Sequence, residues 1–258
     1  MAVFLTLVMQ LLKSVIRDTP LEPVARRVYR SLAFTDQNAI YDRQTIQVLK
    51  HHLKDDSVCI DIGTHRGEIL LEMMTIAPRG RHFAFEPIAH LAASLRRRFP
   101  QTHIYELALS HRCGEIEFQY VVNDPGYSGI QRRIYHLPEP QIQTIVVQTN
   151  RLDNIIPPDV PVSFIKIDIE GAEYLAMCGG VETIKRNRPI IVFEAGKEST
   201  SCYGINPEQI FDFLENECQL RVSTMKRWLQ GESSFSRKQF CEHFNQALDY
   251  YFIAYPSS

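Results

Sequence analysis

Ten residues constrain this chain more than any others: Val58-Cys59-Ile60-Asp61-Ile62-Gly63-Thr64-His65-Arg66-Gly67, an apolar run that ends in an acid and then a glycine-bracketed loop. The run is too short for a helix and meets Gly at once, so it reads as a buried strand entering a tight turn. Glu68 to Met74 (Glu-Ile-Leu-Leu-Glu-Met-Met) reads as a helix whose first turn sits at Gly67. Free N–H groups of the loop and the helix dipole then face one point, which suits an anion, and a carboxylate is the expected one. For this stretch alone, a strand-loop-helix connection without a ligand is the alternative.

A second acid narrows the choice. His82-Phe83-Ala84-Phe85 reads as the next strand, with Glu86 at its end, one βαβ repeat beyond the first loop. An acid there is placed to accept hydrogen bonds from a ribose diol. A dinucleotide would need the fingerprint G-x-G-x-x-G, whose middle glycine lets the backbone approach a pyrophosphate, and here His65 stands in that place. Asp61, just before the loop, is a poor neighbour for phosphate and a good one for an ammonium or sulfonium. S-adenosylmethionine carries one carboxylate, one ammonium, one sulfonium and a ribose diol, and it fits these residues better than NAD.

The 258 residues allow one large or two small domains with a substantial core. A hydrophobic share of 45% and a charged share of 22% are those of an ordinary globular chain. The net charge of -2 gives no whole-protein field for nucleic acid. The six cysteines, Cys59, Cys113, Cys178, Cys202, Cys218 and Cys241, show no C-x-x-C pair and no histidine at metal-ligand spacing. They read as free buried thiols of a reducing cytoplasm, and no structural zinc is expected.

Along the chain, Met1 to Leu12 is apolar and followed by Lys13 and Arg17, too short to span a bilayer and without the marks of a signal peptide. It reads as an amphipathic helix packed on the domain or on a second subunit, with peripheral membrane contact as the alternative. Val24 to Phe34 and Asp42 to Leu53 read as helices, the latter with Ile46, Leu49 and Leu53 at helical spacing. After Glu86, Pro87 is expected at the first position of a helix that presents Ile88, Leu91, Leu95 and Phe99 on one face. Arg96, Arg97 and Arg98 end it and read as a solvated face favoured by the helix dipole rather than as a phosphate clamp. A third strand is expected over His103 to Leu107, with Ala108, Leu109 and Ser110 at its exit, where an adenine would lie.

The pattern then changes. Gly114 to Val121 alternates with period two and Ile142 to Thr149 is also strand-like, so an antiparallel insertion is expected rather than another βαβ unit. Its turn, Asp124-Pro125-Gly126-Tyr127-Ser128-Gly129, reads either as a flexible lid or as an exposed loop. In Phe164-Ile165-Lys166-Ile167-Asp168-Ile169-Glu170-Gly171-Ala172-Glu173, a continuing strand puts Lys166, Asp168 and Glu170 on one face. Burying three ionisable groups there costs several kcal/mol unless they pair, so the strand reads as part of a site at the carboxyl end of an open sheet. A helix from about Ala172 to Lys185, a strand Pro189 to Phe193 ended by Glu194, a helix Pro207 to Glu217 capped by Asn206, and strands over Cys218 to Thr224 and Tyr250 to Ala254 complete a doubly wound α/β pattern.

With these residues in view, the chain resembles the FkbM-type methyltransferases, a branch of the class I S-adenosylmethionine-dependent fold. The resemblance rests on Val58 to Gly67, Phe83-Ala84-Phe85-Glu86-Pro87, Ala108-Leu109-Ser110, Arg151-Leu152-Asp153, Lys166 to Glu173 and Arg188 to Glu194, in that order. It implies a Rossmann-like sheet of seven strands with the last antiparallel, S-adenosylmethionine as methyl donor, and O-methylation of a sugar, glycan or natural-product hydroxyl. The first loop departs from the family in carrying Thr64-His65-Arg66 where members more often have Ala-Asn and a small or apolar residue. The organisation expected is a helical extension over 1–55 and a methyltransferase domain over 56–258, with the β insertion at about 112–150.

Cofactor contacts are expected from Asp61, Gly63, Thr64, His65, Gly67, Glu86, Pro87, Ala108, Leu109 and Asp168. An alcohol must lose its proton during attack, and Asp168 is the first candidate to take it, ahead of Glu170, Glu194 and His65. A divalent ion held by Asp168 and Glu170 is the second route, though no dedicated metal-ligand set is assigned. The rival functions are an NAD-linked oxidoreductase and a non-catalytic member that binds a partner, or a second copy, through the N-terminal helices. A nucleic-acid methyltransferase is disfavoured because Ile156-Pro157-Pro158-Asp159 lacks the Asn or Asp before the prolines and the aromatic after them. A small-molecule or glycan acceptor and a cytoplasmic location, with a membrane-peripheral one as the alternative, complete the expectation.

Overall fold

The computed structural model describes residues 37–132 and 139–257. The apolar stretch Met1 to Leu12 and the helix expected over Val24 to Phe34, with the membrane or subunit contacts expected of them, lie outside the described residues. Helix α1 (Gln37–His52) begins ahead of the start expected at Asp42. Contacts divide the chain into a unit ending at Gln47 and a unit from Val48 onward, and both sheets belong to the second.

The apolar run forms β1 (Val58–Ile62), buried at every residue, as a parallel strand covered on both faces requires. The chain continues through α2 (Glu68–Ile76), β2 (Phe83–Phe85), α3 (Ala89–Arg98) and β3 (His103–Tyr105). Helix α3 buries Leu91, Ala92 and Leu95 and leaves Arg96, Arg97 and Arg98 exposed. It starts at Ala89 after Ile88, so Pro87 precedes the helix instead of opening it.

β3 also ends early. The Glu86 N–H donates to the Tyr105 carbonyl at 3.0 Å, Glu106 turns out to pair with Arg96 at 2.9 Å, and the chain leaves the sheet. Ala108–Leu109 then forms β4, which joins a second sheet with β5 (Gly114–Val121) and β6 (Ile142–Asn150) in the order β4-β6-β5. β5 and β6 are antiparallel, as the alternation implies, whereas β4 runs parallel to β6.

The second half comprises β7 (Val162–Ile167), α4 (Glu173–Gly179), α5 (Val181–Asn187), β8 (Ile190–Glu194), α6 (Lys197–Ser201) and α7 (Pro207–Asp212), then β9 (Leu220–Ser223), α8 (Met225–Leu229), α9 (Arg237–Asn245) and β10 (Tyr251–Pro256). The single helix expected from Ala172 to Lys185 is two, broken at Gly180, where a Cβ would stand 2.8 Å from Leu152 Cδ2. Asn206 caps α7 through a reciprocal bond with Gln209, and the turn after it, Phe213–Glu217, is a π-helix.

The main sheet has seven strands in the order β3-β2-β1-β7-β8-β10-β9, with β10 antiparallel to both neighbours. Phe83, Phe85, Phe164, Phe193 and Phe252 are fully buried in its core. Strand order reverses between β1 and β7, so the carboxyl ends of β1, β2, β7 and β8 open on one edge, where such sheets bind ligands.

Candidate active site

On the β1–β2 side the sequence builds a closed turn. Gly63 adopts φ 77°, and a Cβ there would lie 1.9 Å from the Asp168 carbonyl oxygen, so only glycine lets the loop pass the end of β7. The Gly63 and Thr64 N–H groups donate to the Phe85 carbonyl at 3.0 and 3.1 Å, the His65 N–H donates to Glu86 Oε2 at 2.8 Å, and the Gly67 N–H donates to the Thr64 carbonyl at 2.8 Å. The N–H groups of Gly63, Thr64, His65 and Gly67, expected to await an anion, are thus engaged within the protein. The helix end has its own anion as well: the Leu70 N–H, in the first turn of α2, bonds to Asp61.

Glu86, only 4% exposed, joins two loops, since Oε1 accepts the Ile88 N–H at 2.9 Å and Oε2 the His65 N–H. Burial raises its pKa to about 7 against the lowering effect of those two bonds. Each oxygen carries one protein donor and has capacity for another. Asp61 is 1% exposed, and burial raises its pKa to about 6 while Lys166 opposes the rise. The ammonium beside Asp61 belongs to the protein: Lys166 Nζ lies 3.8 Å from Asp61 Oδ1 and donates to the Gly63 carbonyl at 3.3 Å.

On the β7–β8 side acids gather. β7 ends at Ile167, so Asp168 and Glu170 stand in the turn beyond it and do not continue the strand's face with Lys166. Backbone donors mark the turn: the Asp168 N–H goes to the Ile62 carbonyl at 3.1 Å, and the Ile169 and Gly171 N–H groups go to Glu173 Oε1 at 2.9 and 3.1 Å. Glu170 itself takes φ 62°, a left-handed conformation that costs a non-glycine residue about 1–3 kcal/mol. The Asp168 side chain, 29% exposed, receives Tyr251 Oη at 2.6 Å and Lys166 Nζ at 3.2 Å on the same oxygen, Oδ2.

Asp168, Glu170 and Glu194 each bring a carboxylate oxygen within 4.8 Å of the others. Burial pushes the Asp168 pKa up, but the Lys166 charge and hydrogen bonds from Tyr251, Glu194 and Lys166 outweigh it and hold the group below its ordinary value. Glu194 goes the other way: burial first, then the charges of Glu170 and Asp168, hold it well above the usual carboxyl range. The two environments push the titrations of these neighbouring acids apart, Asp168 downward and Glu194 upward.

The turn of the insertion walls this region. Pro125–Tyr127 is a 3-10 turn, Ser128 Oγ accepts the Val121 N–H at 3.0 Å, and Gln119 and Gly129 exchange backbone bonds at 2.8 and 3.2 Å. A Cβ on Gly129 would meet Glu170 Cβ at 3.4 Å, and the Gln131 N–H donates to Tyr203 Oη at 3.1 Å. The segment is a bonded wall beside Glu170, where the sequence leaves open a flexible lid or an exposed loop.

A family model described as the methyltransferase FkbM domain matches residues 61–222, from the acid of the first loop to β9. The chain belongs to the FkbM methyltransferase family. Among curated relatives it is similar to the 2-O-methyltransferase NoeI of Sinorhizobium fredii, 30% identical over 161 residues, which cover 57% of this chain and 65% of NoeI. It is also similar to part of the AMB antimetabolite synthetase AmbE of Pseudomonas aeruginosa, 36% identical over 105 residues, 39% of this chain and 4% of that protein. The chain thus spans less than two thirds of either relative. The crystal structure of methyltransferase FkbM from Methylobacillus flagellatus matches 96% of this chain and 58% of its own, with 15% identity and a TM-score of 0.51, a likeness of fold. The fold is the class I methyltransferase α/β fold with its mostly parallel seven-stranded sheet.

In this FkbM-family chain the residues singled out in the sequence fall into two groups. Asp61, Gly63, Thr64, His65 and Gly67 form the loop that meets Glu86, while Asp168, Glu170 and Glu194 cluster across the edge. His65 meets Glu86 through its backbone N–H and is not one of the three clustered acids. Pro87 follows Glu86 ahead of α3, and the side chains of Ala108 and Leu109 turn into apolar cores. Sequence reasoning misses three participants. Lys166 stands out in the sequence only as a face-mate of Asp168, yet it bridges both groups; Glu173 stands out only as part of a motif, yet it holds the turn; and Tyr251, 83 residues from Asp168, has no local signal. The cysteines are all free, but only Cys59 and Cys218 are buried; Cys178 and Cys241 are half-buried and Cys113 and Cys202 exposed, so the expectation of burial fails for these four.

Proposed function

We propose that this protein transfers the methyl group of S-adenosylmethionine to a hydroxyl of a sugar, glycan or other natural product. The observation that carries the reading is where the donors of the first loop go. Gly63, Thr64 and His65 give their N–H groups to Phe85 and Glu86, and the start of α2 serves Asp61, so the cradle a pyrophosphate needs is already used. Glu86 retains capacity on both oxygens, as a diol requires. This favours S-adenosylmethionine over NAD. A relative named as a 2-O-methyltransferase supports an oxygen acceptor.

Bound there, S-adenosylmethionine supplies a methyl group already activated by its positive sulfur. Glu86 binds the ribose diol, Gly63 lets the backbone come close, and the bonded wall at Gly129 helps exclude water. Asp168 takes the proton of the acceptor oxygen as the new O–CH3 bond forms and the S–CH3 bond breaks, its electron pair leaving with the neutral thioether S-adenosylhomocysteine. A methylated but still protonated oxygen is a strong acid, so a carboxylate held below its ordinary pKa is base enough. Asp168, Glu170 and Glu194 can also present oxygens to a divalent cation, but Lys166 already places a positive charge at Asp168, which favours the route through the carboxylate alone.

The test is a labelled-methyl assay with S-adenosylmethionine and a panel of neutral glycans, run beside an NADH fluorescence titration. Label is expected on a glycan oxygen. NADH binding without methyl transfer would favour the oxidoreductase, and S-adenosylmethionine binding without transfer a non-catalytic binding protein.

A further inference from the structure

We propose that Tyr251, together with Lys166, is a positioning residue for methyl transfer, holding the Asp168 carboxylate in one orientation toward the acceptor. The inference rests on the proposed O-methyl transfer, because only a transferred methyl group gives Asp168 a hydroxyl to serve.

Asp168 stands beyond the end of β7, and its backbone is fixed by one bond to Ile62, which leaves two side-chain torsions undetermined. A partly exposed aspartate so placed would sample several orientations. Two donors converge on one of its oxygens: Tyr251 Oη at 2.6 Å and Lys166 Nζ at 3.2 Å. The phenol comes from far off. Tyr251 opens β10 and pairs in register with Glu194 at the end of β8, so its ring must reach past the end of β8 to Asp168 at the end of β7. An aromatic ring with a hydroxyl at its tip spans that distance with few torsions to freeze.

Lys166 completes the device from the opposite side. Its ammonium also touches the Gly63 carbonyl and faces Asp61, so the group that steadies Asp168 is fastened to the loop on the cofactor side. The consequence concerns alignment more than affinity. Acceptor oxygen, methyl carbon and sulfur must lie in line, and a misplacement of about 1 Å costs rate on the order of a hundredfold. Removing the Tyr251 hydroxyl takes from Asp168 Oδ2 its short, rigidly mounted donor and leaves the flexible Lys166 ammonium there, and the rate should fall while S-adenosylmethionine still binds.

The test uses the full chain carrying Tyr251→Phe, Asp168→Asn and both together. With S-adenosylmethionine and a pooled set of neutral oligosaccharides as probe, Tyr251→Phe is expected to slow S-adenosylhomocysteine formation at least about tenfold, with a nucleoside dissociation constant within about twofold by calorimetry. In the Asp168→Asn background the same change should cost nothing further, which separates positioning from a general structural effect. A crystal structure of Tyr251→Phe should show the carboxylate turned from its present place. An unchanged rate, an equal loss in both backgrounds, an affinity loss as large as the rate loss, or an Asp168 carboxylate unmoved in the crystal overturns the proposal. If the wild-type chain binds S-adenosylmethionine but makes no product, the functional reading falls, and the crystal structure alone then decides whether Tyr251 holds Asp168.

Discussion

The loop after β1 and the turn after β7 lie on one edge of one sheet, yet they treat their polar groups in opposite ways. Around Gly63 the loop donors already have acceptors, and the two acids, Asp61 and Glu86, are deeply buried with backbone or ammonium partners. Around Asp168 three carboxyl groups crowd one ammonium and one phenol, and their pKa values are pushed apart. The first region is built for shape, with a carboxylate left able to accept a diol. The second is built for charge, with one acid held below its ordinary pKa beside another held above it. On the proposed function, binding and proton transfer fall to neighbouring loops that share Lys166.

The largest effect should come from breaking the charged side. Asp168→Asn keeps the volume and loses the base, so methyl transfer is expected to fall by about 10²–10⁴-fold, the usual worth of general-base catalysis. Calorimetry on the same protein should show nucleoside affinity changed only a few-fold, and a collapse of affinity equal to that of rate would erase the division between the two regions.

Breaking the shaped side should cost stability first. Gly63→Ala forces a side chain into φ 77° and against the Asp168 carbonyl, so a loss of at least about 2 kcal/mol in urea unfolding is expected. Gly114→Ala is the control, since its φ is also positive at 138° but nothing stands within 4 Å of an added Cβ. Equal losses at both positions would mean that the close approach to Asp168 adds nothing to backbone strain.

The smallest effect is one of pH. Burial raises Glu86 and Glu173 to about 7 and Asp61 to about 6, all above the ordinary carboxyl range. Between the unfolded values and these, the native state binds more protons than the unfolded one, so these three groups should make stability decline as pH rises from about 5 to 7. Melting temperatures across that range check the sign. Glu86→Gln should flatten part of the slope, and a steeper slope in that variant would contradict the raised Glu86 pKa.

Much of this is legible in the chain, and the exceptions have physical causes. The Val58 to Gly67 run and the Phe85-Glu86 junction set β1, β2 and their loops because strand length, glycine and acid all lie within one local window. The alternation Ile165-Lys166-Ile167-Asp168-Ile169-Glu170 misleads because it outlasts the strand; the Glu173 carboxylate captures the Ile169 and Gly171 N–H groups and turns the chain out of the sheet. Gly179-Gly180 is a visible warning of the helix break, where the chain packs on Leu152. β4 is hidden because two residues carry no periodicity, and their pairing with β6 is a tertiary event. Tyr251 is hidden for a related reason, as its partner is fixed only once β10 inserts antiparallel beside β8.

The central claim is that the sheet edge at Gly63 and Glu86 takes a sulfonium nucleoside and refuses a pyrophosphate. Side-by-side calorimetric titrations of the full chain with S-adenosylmethionine and with NADH test it most directly. S-adenosylmethionine should saturate one site, with affinity reduced at least about tenfold in Glu86→Gln through loss of a charge-assisted bond, and NADH should give no heat. NADH saturation, or S-adenosylmethionine binding untouched by Glu86→Gln, would contradict the account.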